Sequence, residues 1–318
     1  MFDLVCGEQR KIRASIGAPM LIPTECPIDG TDKFDEEIYP ANFALEDLTA
    51  ELFSARRSPD QIHYRMVRNT KSGCVRANPI LDPSIVYALY RDSHATNADI
   101  VPYTLATYLR YADRLWPHLP DKRGVLEIGC GSGSFLESMK RLGFERIIGV
   151  EPSREAAAKA PVEVRPCIQT VTFEEIVLPA SFSLIAGFQV LDHLIHPNEV
   201  LRKCRDALCR GGLMYWICHD IGSMFARLLG KRCPMIDIQH VILYDKTTIA
   251  TLFRNNGFNV LDVFGVTNRY PLRYWLKLAP LPRIMKGTFT AHLLETTGIG
   301  RIPVSANLGN MGIVAQKP

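Results

Sequence analysis

From residue 123 onward, short apolar runs alternate with stretches whose apolar positions recur at helical spacing. The runs at Val125–Ile128, 146–150, Phe182–Phe188 and 213–218 predict buried strands, since continuous apolarity means that both faces are covered. Stretches 135–142, 153–160, 198–209 and 246–256 predict amphipathic helices between them, with Gly143, Gly211 and Gly257 placed where helices end. This alternation implies an α/β architecture, a mostly parallel sheet covered by helices. Upstream, Ile100, Leu105, Tyr108, Leu109, Ala112 and Leu115 predict a helical linker or lid across 86–119. Residues 1–85 are broken by Pro19, Pro23, Pro27, Pro40, Pro59, Pro79 and Pro83 and read as irregular.

The first predicted strand runs into Glu127-Ile128-Gly129-Cys130-Gly131-Ser132-Gly133, and a helix follows. Alternating glycines let the backbone turn tightly and approach a ligand. A nicotinamide-binding loop would place its third glycine at position 134, which is Ser134. The spacing G-x-G-x-G, with an acid two residues ahead of it, instead resembles motif I of class I S-adenosylmethionine (SAM)-dependent methyltransferases. Eighteen residues on, the second strand ends in Glu151-Pro152-Ser153. A carboxylate there can accept both hydroxyls of a ribose.

The resemblance covers roughly 120–265 and 305–318. It implies a Rossmann-like methyltransferase fold, seven strands with the last antiparallel, and SAM as cofactor. Glu127 would then face the methionine amino group, while Gly129, Cys130, Gly131, Ser132 and Gly133 line the cofactor. Glu151, Pro152 and Ser153 would border the ribose, and Phe188, Gln189 and Leu191 would lie beside the methyl donor. The family often carries an acid after strand three for the adenine amine. Here 164–173 has none, which leaves backbone groups around 168–172.

Two fragments, Cys26-Pro27-Ile28-Asp29-Gly30 and Asn69-Thr70-Lys71-Ser72-Gly73, have the outline of zinc knuckles. With Phe53-Ser54-Ala55-Arg56-Arg57 and Ile62-His63-Tyr64-Arg65, they resemble the N-terminal ribbon of a methyltransferase subfamily associated with sugars and natural products. Three of the four ligand positions hold Asp29, Asn69 and Ser72, and a structural zinc site needs four donors. Recruitment of Cys6 or Cys74 is the alternative; the favoured reading is a ribbon-shaped region, 1–85, without metal.

A hydroxyl or acidic-carbon acceptor needs a general base, and histidine is the usual choice near neutral pH. His193, just past strand four, ranks first, followed by His219 beside Asp220 and then His240. The pair His193 and His196 lacks a third obvious ligand and is followed by Pro197, so no metal is expected there. Within the domain 120–318, residues 266–307 form an insertion between strands six and seven. From 266 to 304 six cations face one acid, Glu295, and Arg269, Tyr270, Arg273, Tyr274, Trp275 and Lys277 interleave with the apolar Leu281, Ile284, Met285 and Phe289. This segment reads as a cap over an anionic or sugar-linked small-molecule acceptor, as a membrane-surface contact, or as a packed helical cap.

The 318 residues are 47 % hydrophobic with a net charge of +4, an ordinary globular composition. Nine scattered cysteines, no long apolar run and no visible secretory leader predict a cytoplasmic protein. The basic patch comes without a nucleic-acid motif, so nucleic acid is not expected as a partner. The function predicted is methyl transfer to oxygen or carbon of a sugar or secondary metabolite. A non-catalytic SAM-binding scaffold or sensor and an NAD-dependent oxidoreductase are the rivals.

Overall fold

The structure, a computed structural model, describes residues 21–44, 48, 50–53, 61–91, 98–179, 181–278 and 297–318. It opens with five short strands, β1 (Leu21–Ile22), β2 (Asp35–Tyr39), β3 (Met66–Asn69), β4 (Val75–Ala77) and β5 (Ile80–Leu81). Two helices, α1 (Pro83–Arg91) and α2 (Val101–Ala112), stand where periodicity reads one helical stretch. Each begins at or beside a proline, whose fixed φ suits a first turn. There follow β6 (Val125–Ile128), α3 (Ser134–Arg141), β7 (Ile147–Val150), α4 (Arg154–Ala158), β8 (Ile168–Gln169), β9 (Phe182–Phe188) and α5 (Pro197–Ala207). The chain continues through β10 (Leu208–His219), α6 (Met224–Leu229), β11 (Ile242–Leu243) and α7 (Lys246–Asn255). It closes with β12 (Asn259–Pro271), α8 (Leu272–Leu278) and β13 (Pro303–Gln316).

Seven strands form the main sheet in the order β12-β13-β10-β9-β6-β7-β8, the expected Rossmann-like arrangement. The five from β8 to β10 run parallel, and β13 is antiparallel to both of its neighbours. Side chains of the central strands alternate between two cores. Met214, Trp216 and Cys218 of β10 enter one, while Leu213, Tyr215 and Ile217 enter the other with α2 and α3. Trp216 packs so closely over β9 that a Cβ on Gly187 would lie 2.6 Å from its ring. The strand order reverses between β6 and β9, where such sheets open a crevice for ligands.

Two boundaries differ from the sequence reading. The helix predicted over 198–209 ends at Ala207, and Leu208 already pairs with Phe182 of β9. A register shift follows at the left-handed Gly211 (φ +75), which lengthens β10 backwards. In addition, β12 and β13 stay paired as far as Pro271 opposite Pro303. Both ends of the 266–307 segment are therefore strand, stabilised by Tyr270 against Tyr274 and Trp275 at 4.8 and 5.1 Å. Leu281, Ile284, Met285 and Phe289 lie outside the described residues, as do Cys6 and 54–57.

The N-terminal strands share the core of the main sheet: Cys26, Phe53, Tyr64, Met66 and Ile80 join the cluster that contains Trp216. A second sheet, ordered β11-β4-β3-β2, takes its last strand from the segment before α7. Within it, Arg76 is fully buried and pairs bidentately with Asp35 at 2.7 and 2.6 Å. The four knuckle positions face one another. Asn69 donates to Asp29 at 3.1 Å, and Cys26 lies 3.2 Å from the Ser72 hydroxyl. Beside Cys74, hydrogen bonding outweighs burial and brings the Cys26 thiol down to about 6.

Candidate active site

Gly129, Gly131 and Gly133 carry φ values of +68, +53 and +70, a conformation that side chains rarely adopt. A Cβ on Gly131 would meet nothing within 4 Å, so the outer side of the loop is open to a ligand. On Gly133 it would lie 2.7 Å from Val164 and 3.1 Å from Ile168, so a glycine here lets the loop pack against the segment that leads into β8. Glu151, at the end of β7, accepts from the backbone N–H of Gly131 at 2.9 Å and of Ser153 at 2.8 Å. Ser153 caps α4 through the Ala156 N–H. Glu127 is buried on β6. Burial pushes the Cys130 thiol up, and the negative charges of Glu127 and Glu151 push it further. Two carboxylates beside an open glycine loop suit a cationic nucleoside such as SAM.

The other motif residues have different settings. Phe188 is buried, stacked on Tyr108 at 4.1 Å and edge-on to Phe135, and Leu191 is fully buried. Gln189 adopts a left-handed φ of +56, and its amide donates to Asn310 Oδ1 at 2.8 Å. This bond ties the end of β9 to β13, since Asn310 lies opposite His219 in the β10–β13 register.

The three candidate bases converge although the chain separates them. His193 stands 4.9 Å from His240, and His240 4.6 Å from His219, measured between ring centroids. At their centre is Asp192, 1 % exposed. Its Oδ2 accepts from His219 Nδ1 in a direct contact and lies 3.9 Å from His240 Nε2. His240 Nδ1 bonds the Met235 carbonyl at 2.9 Å, a contact that holds the proton on Nδ1. The next strand, β11, starts at Ile242, and Val241 donates its N–H to the Asp192 carbonyl. The N-terminal sheet thus anchors the segment that carries His240. From α1, the Tyr90 hydroxyl meets His193 Nδ1 at 2.9 Å.

Burial pushes the Asp192 carboxyl up, but the charge and hydrogen bond of His219 outweigh it, and the group lies well below the ordinary carboxylate range. Burial, followed by the charge of His219, lowers the proton affinity of His240. Asp192, His219 and His240 also present one ligand atom each within 4.8 Å of one another, a set that can hold a divalent metal. Such an ion would displace the His219–Asp192 hydrogen bond. Sequence reasoning missed Asp192 as the hub and Tyr90 as a neighbour. Asp192 adjoins His193 in sequence yet bonds His219, 27 residues away, and only the parallel pairing of β9 with β10 reveals this.

Known proteins place these features in context. Residues 101–263 match the family described as a methyltransferase domain. The ubiquinone biosynthesis O-methyltransferase of Paraburkholderia phymatum is 35 % identical over 164 residues, 47 % of this chain and 70 % of that protein. Its human mitochondrial namesake is 24 % identical over 212 residues, 59 % of this chain and 55 % of that one. The solved structure of magnesium protoporphyrin IX methyltransferase from Synechocystis PCC 6803 is 12 % identical, covering 74 % of this chain and all of that one, with a TM-score of 0.49. Among the described residues no helix is long and apolar enough to cross a membrane. With the family match spanning half of the chain and including the glycine loop and Glu151, the protein belongs to the class I SAM-dependent methyltransferases.

Proposed function

We propose that this enzyme methylates a hydroxyl oxygen of a small organic acceptor, with His219 as proton acceptor and Asp192 holding it in place. The observation that carries this reading is the buried Asp192 carboxylate in contact with His219 Nδ1, at the strand ends beside the glycine loop. That contact leaves the proton on Nδ1 and turns Nε2 into the base, the logic of an oriented histidine. SAM supplies an electrophilic methyl group, so the protein has to align the acceptor, exclude water and remove one proton. Glu127 faces the amino group of the cofactor, and Glu151 exchanges part of its grip on the loop for the ribose hydroxyls. His240, kept neutral by its burial, and His193, bonded to Tyr90, wall the acceptor.

The names of the relatives refer to O-methylation in ubiquinone biosynthesis, which favours oxygen over carbon and a ubiquinone-like ring over a sugar as the acceptor. The N-terminal region is read as a zinc-ribbon-like sheet that works without metal, its ligand positions taken by the Asn69–Asp29 and Cys26–Ser72 bonds.

The test supplies SAM with quinol and sugar acceptors and measures S-adenosylhomocysteine together with the methylated product. Methylated quinol is expected. Tight SAM binding without release of S-adenosylhomocysteine on any hydroxyl acceptor would support a scaffold or sensor instead. Chelation by EDTA should leave turnover unchanged. A loss restored by Mg2+ or Mn2+ would assign Asp192, His219 and His240 to a cation, as their mutual spacing permits.

A further inference from the structure

The strand ends beside His219 carry two side-chain amides, Gln189 just after β9 and Asn310 on β13. Strand β10 lies between β9 and β13 and ends at His219. The 2.8 Å bond from Gln189 Nε2 to Asn310 Oδ1 therefore runs across the end of β10. Asn310 stands opposite His219 in the β10–β13 register. Residues directly opposite in an antiparallel pair put their side chains on one face, with Cβ atoms about 5 Å apart. Gln189, His219 and Asn310 are all half-buried, so a ligand can reach them. Gln189 also holds its left-handed φ of +56, a strain that residues other than glycine carry mainly at functional sites.

The same bond decides which end of each amide is spent. Asn310 Oδ1 is taken, which leaves Nδ2 as the end that this side chain offers beside His219. Gln189 Oε1 is buried and, among the described residues, accepts from no donor. A buried carbonyl kept this way costs stability, and its place is a site that a ligand completes rather than a core. The backbone below is fixed: Gly309 accepts from the Asp220 N–H at 2.9 Å, and a Cβ on it would lie 2.6 Å from the Ser223 hydroxyl.

We propose that Asn310, aimed by Gln189, is a further catalytic residue of the methyl transfer, its Nδ2–H donating to the acceptor oxygen while His219 takes that oxygen's proton. This rests on the role proposed above for His219. A ring hydroxyl ionises near about 10, as in tyrosine, whereas imidazole takes up a proton near about 6.5, so His219 alone draws the proton uphill. An N–H aimed at the oxygen favours its ionised form and narrows that gap. The hydroxyl proton passes to His219 Nε2, and the oxygen bonds the methyl carbon as the electron pair of the C–S bond returns to sulfur. Asn310 keeps both of its protons throughout.

The full chain is assayed with SAM and a series of ring-substituted hydroquinones of graded acidity, with affinity for S-adenosylhomocysteine read by calorimetry. Asn310→Leu should lower kcat about 10²-fold, the effect of one donor to a developing oxyanion, while KM changes far less. The loss should be greatest with the least acidic hydroquinones, and the affinity for S-adenosylhomocysteine should not change. Asn310→Asp still accepts from Gln189 but has no N–H to give, so it too should be slow. Gln189→Met leaves Asn310 in place without its aim and should fall between wild type and Asn310→Leu. A pair that only ties β9 to β13 gives a different pattern: Asn310→Asp as fast as wild type, and Asn310→Leu equally slowed on every hydroquinone with a lower urea midpoint. That pattern overturns the proposal, as does a kcat for Asn310→Leu within about threefold of wild type, and both leave the role of His219 standing. A wild-type chain that methylates no hydroxyl acceptor removes both.

Discussion

Replacing Asp192 with asparagine keeps the volume of a side chain that is 1 % exposed and removes the charge facing two imidazoles. The effect on the rate follows from what that charge does when His219 takes up a proton. An imidazolium about 4 Å from a carboxylate gains about 4 kcal/mol at an effective dielectric of 20, and His219, in direct contact with Asp192, gains no less. Asparagine retains a carbonyl that can accept the His219 Nδ1–H, so part of the orientation survives. The expected fall in kcat is therefore about 10²- to 10³-fold, at about 1.4 kcal/mol per factor of ten. The assay measures initial rates of S-adenosylhomocysteine release at saturating SAM and acceptor, with SAM affinity determined separately by calorimetry. SAM affinity should stay unchanged, because Asp192 does not touch the glycine loop in the described contacts. A kcat within about threefold of wild type would refute the orienting role, since an interaction made only in the transition state must appear in kcat.

Glu151→Ala should weaken SAM binding by about 1.5–3 kcal/mol, the range for hydrogen bonds to a charged group. Calorimetry reading an unchanged affinity would remove the ribose assignment. Asp35→Ala leaves the buried Arg76 guanidinium unpaired and should cost about 3–5 kcal/mol in urea unfolding; a cost below about 1 kcal/mol would show that Thr24, which also accepts from Arg76, suffices. His240 should make stability depend on pH. Its proton affinity is lowered in the fold, first by burial, whereas the unfolded residue takes up a proton near pH 6.5. The unfolded chain thus binds more protons in that window, and stability is lost as pH falls below about 6.5. His240→Gln should flatten this slope in urea midpoints, and an unaltered slope would place its origin elsewhere.

The glycine loop, Glu151 and the central strands were readable because each depends on neighbours in sequence: a run of apolar residues, an alternation of glycines, a carboxylate at a strand end. Features made by distant residues were not. Asp192 meets His219 only because β9 and β10 lie side by side, so adjacency directs attention to Asp192 with His193 and to His219 with Asp220. The two-residue strand β11 carries no periodicity of its own, and it forms because β4 offers an edge. The outer ends of β12 and β13 are rich in polar and aromatic residues and read as an insertion, yet their backbones pair across to Pro303.

The β11–β4 pairing has a consequence for how such enzymes can be recombined. A chain that starts at residue 101 and keeps β13 would keep its nucleoside loop but lose the edge on which β11 rests, and with it the positioning of His240 and the Tyr90–His193 contact. Such a fragment should retain the donor and turn over poorly. Exchanging the first hundred residues between homologues should then alter which acceptor is used, because that exchange replaces the mould for one wall of the pocket.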